Sequence, residues 1–267
     1  MNTNRGHAVR RGHGRQQGFT LVELSVAVLI GLFLLGGLLT LVQDMRRTFG
    51  NQNQLGQLQD NERLAMTLIT DVVQAGGYFP NPTLNTIATA LPTNPLYPAF
   101  LQAGQAIAGT HNAAPPGDTI SVQYLTALND GVINCTGGTN TVAATFLYVN
   151  KFSADALANL KCQVNQVPAV SLISPSGVIG SPKSGGVTNL QVLYGVKTNF
   201  AIVNNNADTY FNATQMNANP TYWSNLICVK VTLTFDNSAL FKSQPGQPAT
   251  INFTRVITVM SRGGVNT

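Results

Sequence analysis

Apolar residues run almost without interruption from Phe19 to Val42, recur at helical spacing to about residue 75, and after residue 80 break into short alternating runs. The first region holds 24 residues and one charge, Glu23. As a helix it rises about 36 Å, against a bilayer hydrocarbon core of about 30 Å. In the second region Leu55, Leu58, Ala65, Leu68, Ile69, Val72 and Val73 keep to one side of a helix, and Glu62 interrupts that side. The first proline is Pro80, so nothing forbids one helix from Phe19 to Ala75, about 57 residues and about 85 Å long. Gly76-Gly77, with Pro80 and Pro82 beyond, supply a stop. Two soft points lie inside it, Gly36-Gly37 and the stretch Gly50 to Gly56 with Asn51, Gln52 and Asn53. Each internal glycine costs about 0.8–1 kcal/mol relative to alanine. For Gly50 to Gly56 two readings stay open: a flexible join, and a local run of poor helix formers.

The third region reads as strands, from β-branched content and alternation: Thr119 to Leu125, Ala144 to Val149, Ala169 to Ile173, Leu190 to Tyr194, Leu226 to Phe235 and Ile251 to Met260. Helical spacing is confined to a short candidate at Ala154 to Leu160. Pro80 to Pro98 and Ser174 to Gly186, rich in Pro, Gly and Asn, read as surface loops. The expected fold is α+β: a long N-terminal helix, half membrane span and half amphipathic, packed on a mostly antiparallel sheet. The expected divisions are a basic leader at 1–18, a transmembrane helix at 19–42, its amphipathic continuation at 43–77, and one globular β-rich domain at 78–267.

Charge changes this picture in one place. The 267 residues carry 15 basic and 10 acidic side chains, a net +5. Arg5, Arg10, Arg11 and Arg15 all lie before the apolar run. Without them eleven bases face ten acids, and no electrostatic footprint for nucleic acid remains. The arginines orient the span with its N-terminus in the cytoplasm. Of three histidines, only His111 lies beyond the leader, which argues against hydrolase and zinc chemistry. No cofactor is implied and no enzyme is expected.

A simple secretory signal accounts poorly for the N-terminal region. The apolar run is too long, and Gln43-Asp44-Met45-Arg46-Arg47 offers no small-residue cleavage site after Val42. A simple anchor does not explain Glu23. A carboxylate at mid-membrane costs about 2.5–3.5 kcal/mol and marks function by default.

Gly18-Phe19-Thr20-Leu21-Val22-Glu23-Leu24, after a short basic leader, resembles the class III signal of type IV pilins and type II secretion pseudopilins. The resemblance implies cleavage by a membrane prepilin peptidase between Gly18 and Phe19, and N-methylation of Phe19. It makes Glu23 the assembly contact. There the buried carboxylate meets the N-terminal amine of a neighbouring subunit. Further along, Arg63-Leu64-Ala65-Met66, Asp71 to Phe79, Asp118 to Tyr124 and Val187 to Gly195 are similar to PilW-type minor pilins, in the same order. That family's early cysteine pair implies a disulfide between Cys135 and Cys162. From the residues alone three pairings of the three cysteines are open, with Cys228 in an apolar strand reading as a buried thiol.

Weaker signals point to structure rather than chemistry. Asn204 to Asp208 has one carboxylate and Gln215 where a calcium loop needs a bidentate glutamate. Gly180-Ser181-Pro182-Lys183-Ser184 lacks P-loop spacing. Asp118 or Asp130 with His111 and a serine reads as structural aspartates, not a triad. Tyr222-Trp223 reads as a core anchor or an exposed subunit contact, with burial trends favouring the core.

The resemblance implies a minor type IV pilin, made as a single-pass inner-membrane prepilin with a periplasmic domain. It implies a place with other minor pilins in a tip-proximal complex that primes pilus assembly and supports twitching motility and adhesion. Glu23 argues against the extreme tip, where the K-type subunit lacks this glutamate. The alternatives are a J-type pseudopilin of type II secretion and, further off, a membrane-anchored periplasmic binding protein or enzyme.

Overall fold

A computed structural model describes residues 18–176, 185–201, 206–237 and 246–260. The leader before Gly18, the Gly180 to Ser184 segment and Asn204-Asn205 lie outside the described residues. The chain divides into two compact units, Met1–Gly50 and Asn51–Thr267.

Helix α1, Leu21–Gln74, is continuous over 54 residues. It passes through Gly36-Gly37 and Gly50 to Gly56 without interruption, because no proline removes a backbone donor there. In the first unit its Leu, Val, Ile and Phe side chains are exposed all round, and the helix is long and apolar enough to cross a membrane.

In the second unit α1 buries one stripe: Leu58, Ala65, Met66, Ile69, Val72 and Val73. Five of these were expected from periodicity. Met66 joins them, whereas Leu55 is exposed and Leu68 half-buried. The helix stops at Gly76-Gly77. A Cβ on Gly76 would press on the Val73 carbonyl and the Val122 side chain, and Gly77 takes a positive φ of 77°. The emerging chain bonds at once to a strand: Gly77 N–H donates to the Gln123 carbonyl at 2.9 Å, and Leu125 N–H to the Tyr78 carbonyl at 2.8 Å.

The strands form two antiparallel sheets, where the sequence suggested one. The first has β1 (Ile107–Thr110), β2 (Thr119–Thr126), β3 (Phe146–Ala154), β4 (Leu160–Val164) and β5 (Val170–Ile173) in meander order. The second has the order β7-β6-β8-β9, from β6 (Val187–Val196), β7 (Thr209–Phe211), β8 (Leu226–Asp236) and β9 (Thr250–Thr258). Helices α2 (Ile87–Ala90), α3 (Ala213–Ala218) and α4 (Thr221–Ser224) are short. Alternate residues of both sheets (Ile120, Val122 and Tyr124; Leu190, Val192 and Tyr194; Val229, Val231 and Leu233) join the α1 stripe in one core.

Three expectations need correction. Ala154 to Leu160 is not a helix: Ala154 ends β3, Leu160 begins β4, and the residues between them are the turn. Asp155 Oδ1 accepts the N–H groups of Leu157 at 2.9 Å and Asn159 at 3.0 Å, which competes with helical bonding. Pro80 to Pro98 is not wholly surface. Leu91 is buried and Tyr97 half-buried, and with Phe100 this segment covers part of the outer face of β1 and β3 at Ala108 and Val149. Gly185 and Gly186, at the end of the second expected surface loop, are also buried.

The two sheets are hydrogen-bonded to each other around Gly117 and Asp118. Gly117 bridges to Leu190 in parallel; Asp118 N–H donates to the Leu190 carbonyl at 2.7 Å, and Leu190 N–H to the Pro116 carbonyl at 3.1 Å. The Asp118 carboxylate, 2% exposed, accepts from Val192 N–H at 2.7 Å and Asn112 N–H at 2.8 Å, and its Oδ1 lies 2.8 Å from His111 Nδ1. A buried carboxylate is tolerated here because its lone pairs are used.

Candidate functional site

Gly18, Phe19 and Thr20 are exposed and non-helical, and nothing lies near the Cβ position of Gly18. The helix begins at Leu21, so Glu23 falls in its first turn, where the macrodipole favours an acid. Thr20 and Glu23 form a loose capping box. Glu23 N–H donates to Thr20 Oγ1, and Glu23 Oε2 accepts from the Thr20 N–H and hydroxyl, all at 3.4 Å. These distances exceed the 2.7–3.2 Å of well-formed bonds, so the cap satisfies the carboxylate only in part. The Thr-x-x-Glu spacing from Thr20 to Glu23 is the sequence signature of this box.

The other polar side chains of the apolar run resolve themselves locally. Ser25 Oγ donates to the Val22 carbonyl at 2.8 Å and Thr40 Oγ1 to the Gly37 carbonyl at 2.7 Å. Glu23 therefore remains the one group in Phe19 to Val42 whose charge calls for a partner outside its own helix.

The remaining candidates divide clearly. Cys135 and Cys162 are disulfide-bonded with Cα atoms 6.1 Å apart, both fully buried, and the bridge ties the loop after β2 to β4. Cys228 is a free, buried thiol on β8, with Tyr210 Oη 3.6 Å from its sulfur. Trp223 is 2% exposed and stacks edge-on against Tyr194 at 4.8 Å, which makes it a core anchor.

His111 and Asp118, one of the two pairings raised from the sequence, are brought together, and Asp118 serves as a structural aspartate. No serine completes a triad among the described residues: the pair's other bonds run to backbone N–H groups at the sheet joint. Asp130 accepts Ala127 and Val132 N–H groups in a turn. Asp208 caps Thr198 and Asn199, and the Asn199 N–H, ahead of the Thr198 bonds, holds its carboxyl down at about 2. Among the described residues no group of three or more His, Cys, Asp and Glu side chains is placed to hold a metal ion.

Fold and site define a class: an α+β, pilin-like protein with one exposed apolar helix that begins in a loosely capped glutamate. Residues 141–257, from just before β3 into β9, match the family described as Type IV Pilus-assembly protein W, and residues 13–39 match the prokaryotic N-terminal methylation motif. No curated protein and no solved structure matches the chain. Together these two matches support a type IV pilin-like prepilin of PilW type. The methylation motif with the apolar helix fits a single-pass inner-membrane pilin that is then assembled into the pilus, and this family is structural rather than catalytic.

Proposed function

We propose that this prepilin is cut between Gly18 and Phe19, methylated on Phe19, and assembled through Glu23 as a minor pilin. In the tip-proximal complex it would help prime pilus growth and so support motility and adhesion. The observation that carries this reading is the half-satisfied Glu23 at the start of an otherwise apolar, exposed helix, within the matched methylation motif. Cleavage would remove the leader's four arginines and create a cationic amine at Phe19, the group that Glu23 lacks. A charge left unpaired in apolar surroundings is costly, so the pairing both stabilises a bundle of helices and sets their register.

The test is mass spectrometry of the mature N-terminus. A methylated Phe19 is expected; a chain starting at Met1, or beyond Val42, refutes the processing step. Deleting the gene and counting surface pili tests the priming role, and wild-type piliation would refute it.

A further inference from the structure

The helix-end segment Asp71 to Phe79 sorts its side chains onto two faces. Val72 and Val73 enter the core, and Gly76 and Gly77 are buried in the stop. Asp71, Gln74, Ala75 and Tyr78 instead line a pocket of about 510 Å³. Its far walls include Val132 and Ile133, from the loop after β2, and Met260, which is 63% exposed. The volume lies within the range of pockets that bind ligands, and the walls are mainly apolar.

The polar part of the pocket has one sign. Asp71 stands in the last turn of α1, a turn with no basic residue. The macrodipole places its negative end there, so this acid adds to an existing negative potential rather than offsetting it. The Tyr78 phenol is raised above its usual range first by burial and then by the negative charge of Asp130 nearby. Arg255 directs Nη1 to Thr70 Oγ1 at 3.4 Å, and Asp71 forms no ion pair among the described residues. Apolar walls with the Asp71 carboxylate at the rim suit a long cationic side chain, whose stem is apolar and whose head is charged.

We propose that this pocket receives a lysine or arginine side chain presented by a neighbouring pilin subunit, with the stem on Ala75, Val132 and Met260 and the charged head on Asp71. The inference rests on the assembly role proposed above and names a contact for it, separate from Glu23.

The test uses the full-length chain in its own membrane, with the photo-cross-linking residue p-benzoylphenylalanine in place of Gln74. After irradiation the linked peptide is identified by mass spectrometry. The expected link is to another pilin, within a few residues of a lysine or arginine. A link to lipid, a link to this chain's own residues 261–267 with Arg262, or no link at all overturns the proposal. In parallel, Asp71→Lys should lower incorporation into pili by roughly tenfold, and Asp71→Glu should leave it near wild type. Asp71→Lys should also keep or raise the melting temperature, since it places a cation at the helix C-terminus. Wild-type incorporation of Asp71→Lys overturns the proposal. If Glu23→Ala blocks incorporation while Asp71→Lys does not, only the pocket contact falls; if Glu23→Ala incorporates normally, the assembly reading itself falls.

Discussion

Replacing Glu23 with alanine isolates the charge from everything else in the helix. In the single subunit the carboxylate has three sources of relief. Its position near the helix start keeps it away from mid-membrane, where the cost is about 2.5–3.5 kcal/mol. The helix dipole contributes about 0.3–1 kcal/mol in the first turn. The bonds to Thr20 are long, at 3.4 Å, and add little. A deficit of about 1–2 kcal/mol therefore remains until another subunit supplies a cation. Losing one member of a buried pair costs about 3–5 kcal/mol. At 1.4 kcal/mol per decade, that is a fall of about 10² to 10³ in incorporation. The assay is a quantitative immunoblot of sheared pili against membranes. Intact folding is checked by retention of the Cys135–Cys162 bridge. Glu23→Gln should fail almost as severely as Glu23→Ala, because it keeps the shape and hydrogen bonds but not the charge. Normal incorporation of Glu23→Ala refutes the pairing altogether, and normal incorporation of Glu23→Gln would assign the role to hydrogen bonding instead.

Cys135→Ala with Cys162→Ala opens a loop with a sequence separation of 27 and should cost about 3–4 kcal/mol by denaturant unfolding; a loss below about 1 kcal/mol would refute the entropic account. Asp118→Ala leaves the Val192 and Asn112 N–H groups without their acceptor at the joint between sheets and should cost about 3 kcal/mol or more, with accelerated amide exchange at Val192; unchanged exchange would show that the joint holds without it. A Cβ on Gly109 would run into Tyr194 Oη and the Thr119 carbonyl, so Gly109→Ala should destabilise by about 1–3 kcal/mol. The Tyr194 hydroxyl has no hydrogen-bond partner among the described residues, so Tyr194→Phe should be near neutral alone and should partly rescue Gly109→Ala in a double-mutant cycle. Partial burial raises the Asp155 carboxyl, but bonds from Asn159 and Lys161 outweigh it and leave the group well below its usual range; Asp208 is held at about 2. Both folded-state values lie below the unfolded one, so this stability is present above about pH 4 and is lost as pH falls through the folded values. Asp155→Asn should therefore lower the melting temperature at neutral pH, and its difference from wild type should shrink below about pH 4; a constant difference would contradict the linkage.

Much of the fold was legible because it rests on local periodicity. The span, the single long helix, its stop at Gly76-Gly77 and six of the nine strands among the described residues follow from spacing and from where Gly and Pro fall. Strands β1, β4 and β7, three to five residues long, are not among them. The false helix at Ala154 to Leu160 had helical spacing, but Asp155 holds its backbone in a turn. The N-terminal methylation motif was legible because it is written in consecutive residues.

By itself the sequence determined the processing motif, the apolar helix and the placement of one carboxylate within it, since each depends on neighbours along the chain. Only the tertiary structure decided that the strands divide into two sheets, that Asp118 joins them with His111, and that Asp71, Ala75, Val132 and Met260 surround one pocket. Those groupings bring together residues tens to almost two hundred positions apart, and no periodicity encodes such distances. They arise because the α1 stripe and the inner faces of both sheets must share one dry core, and that shared burial selects which distant polar groups meet.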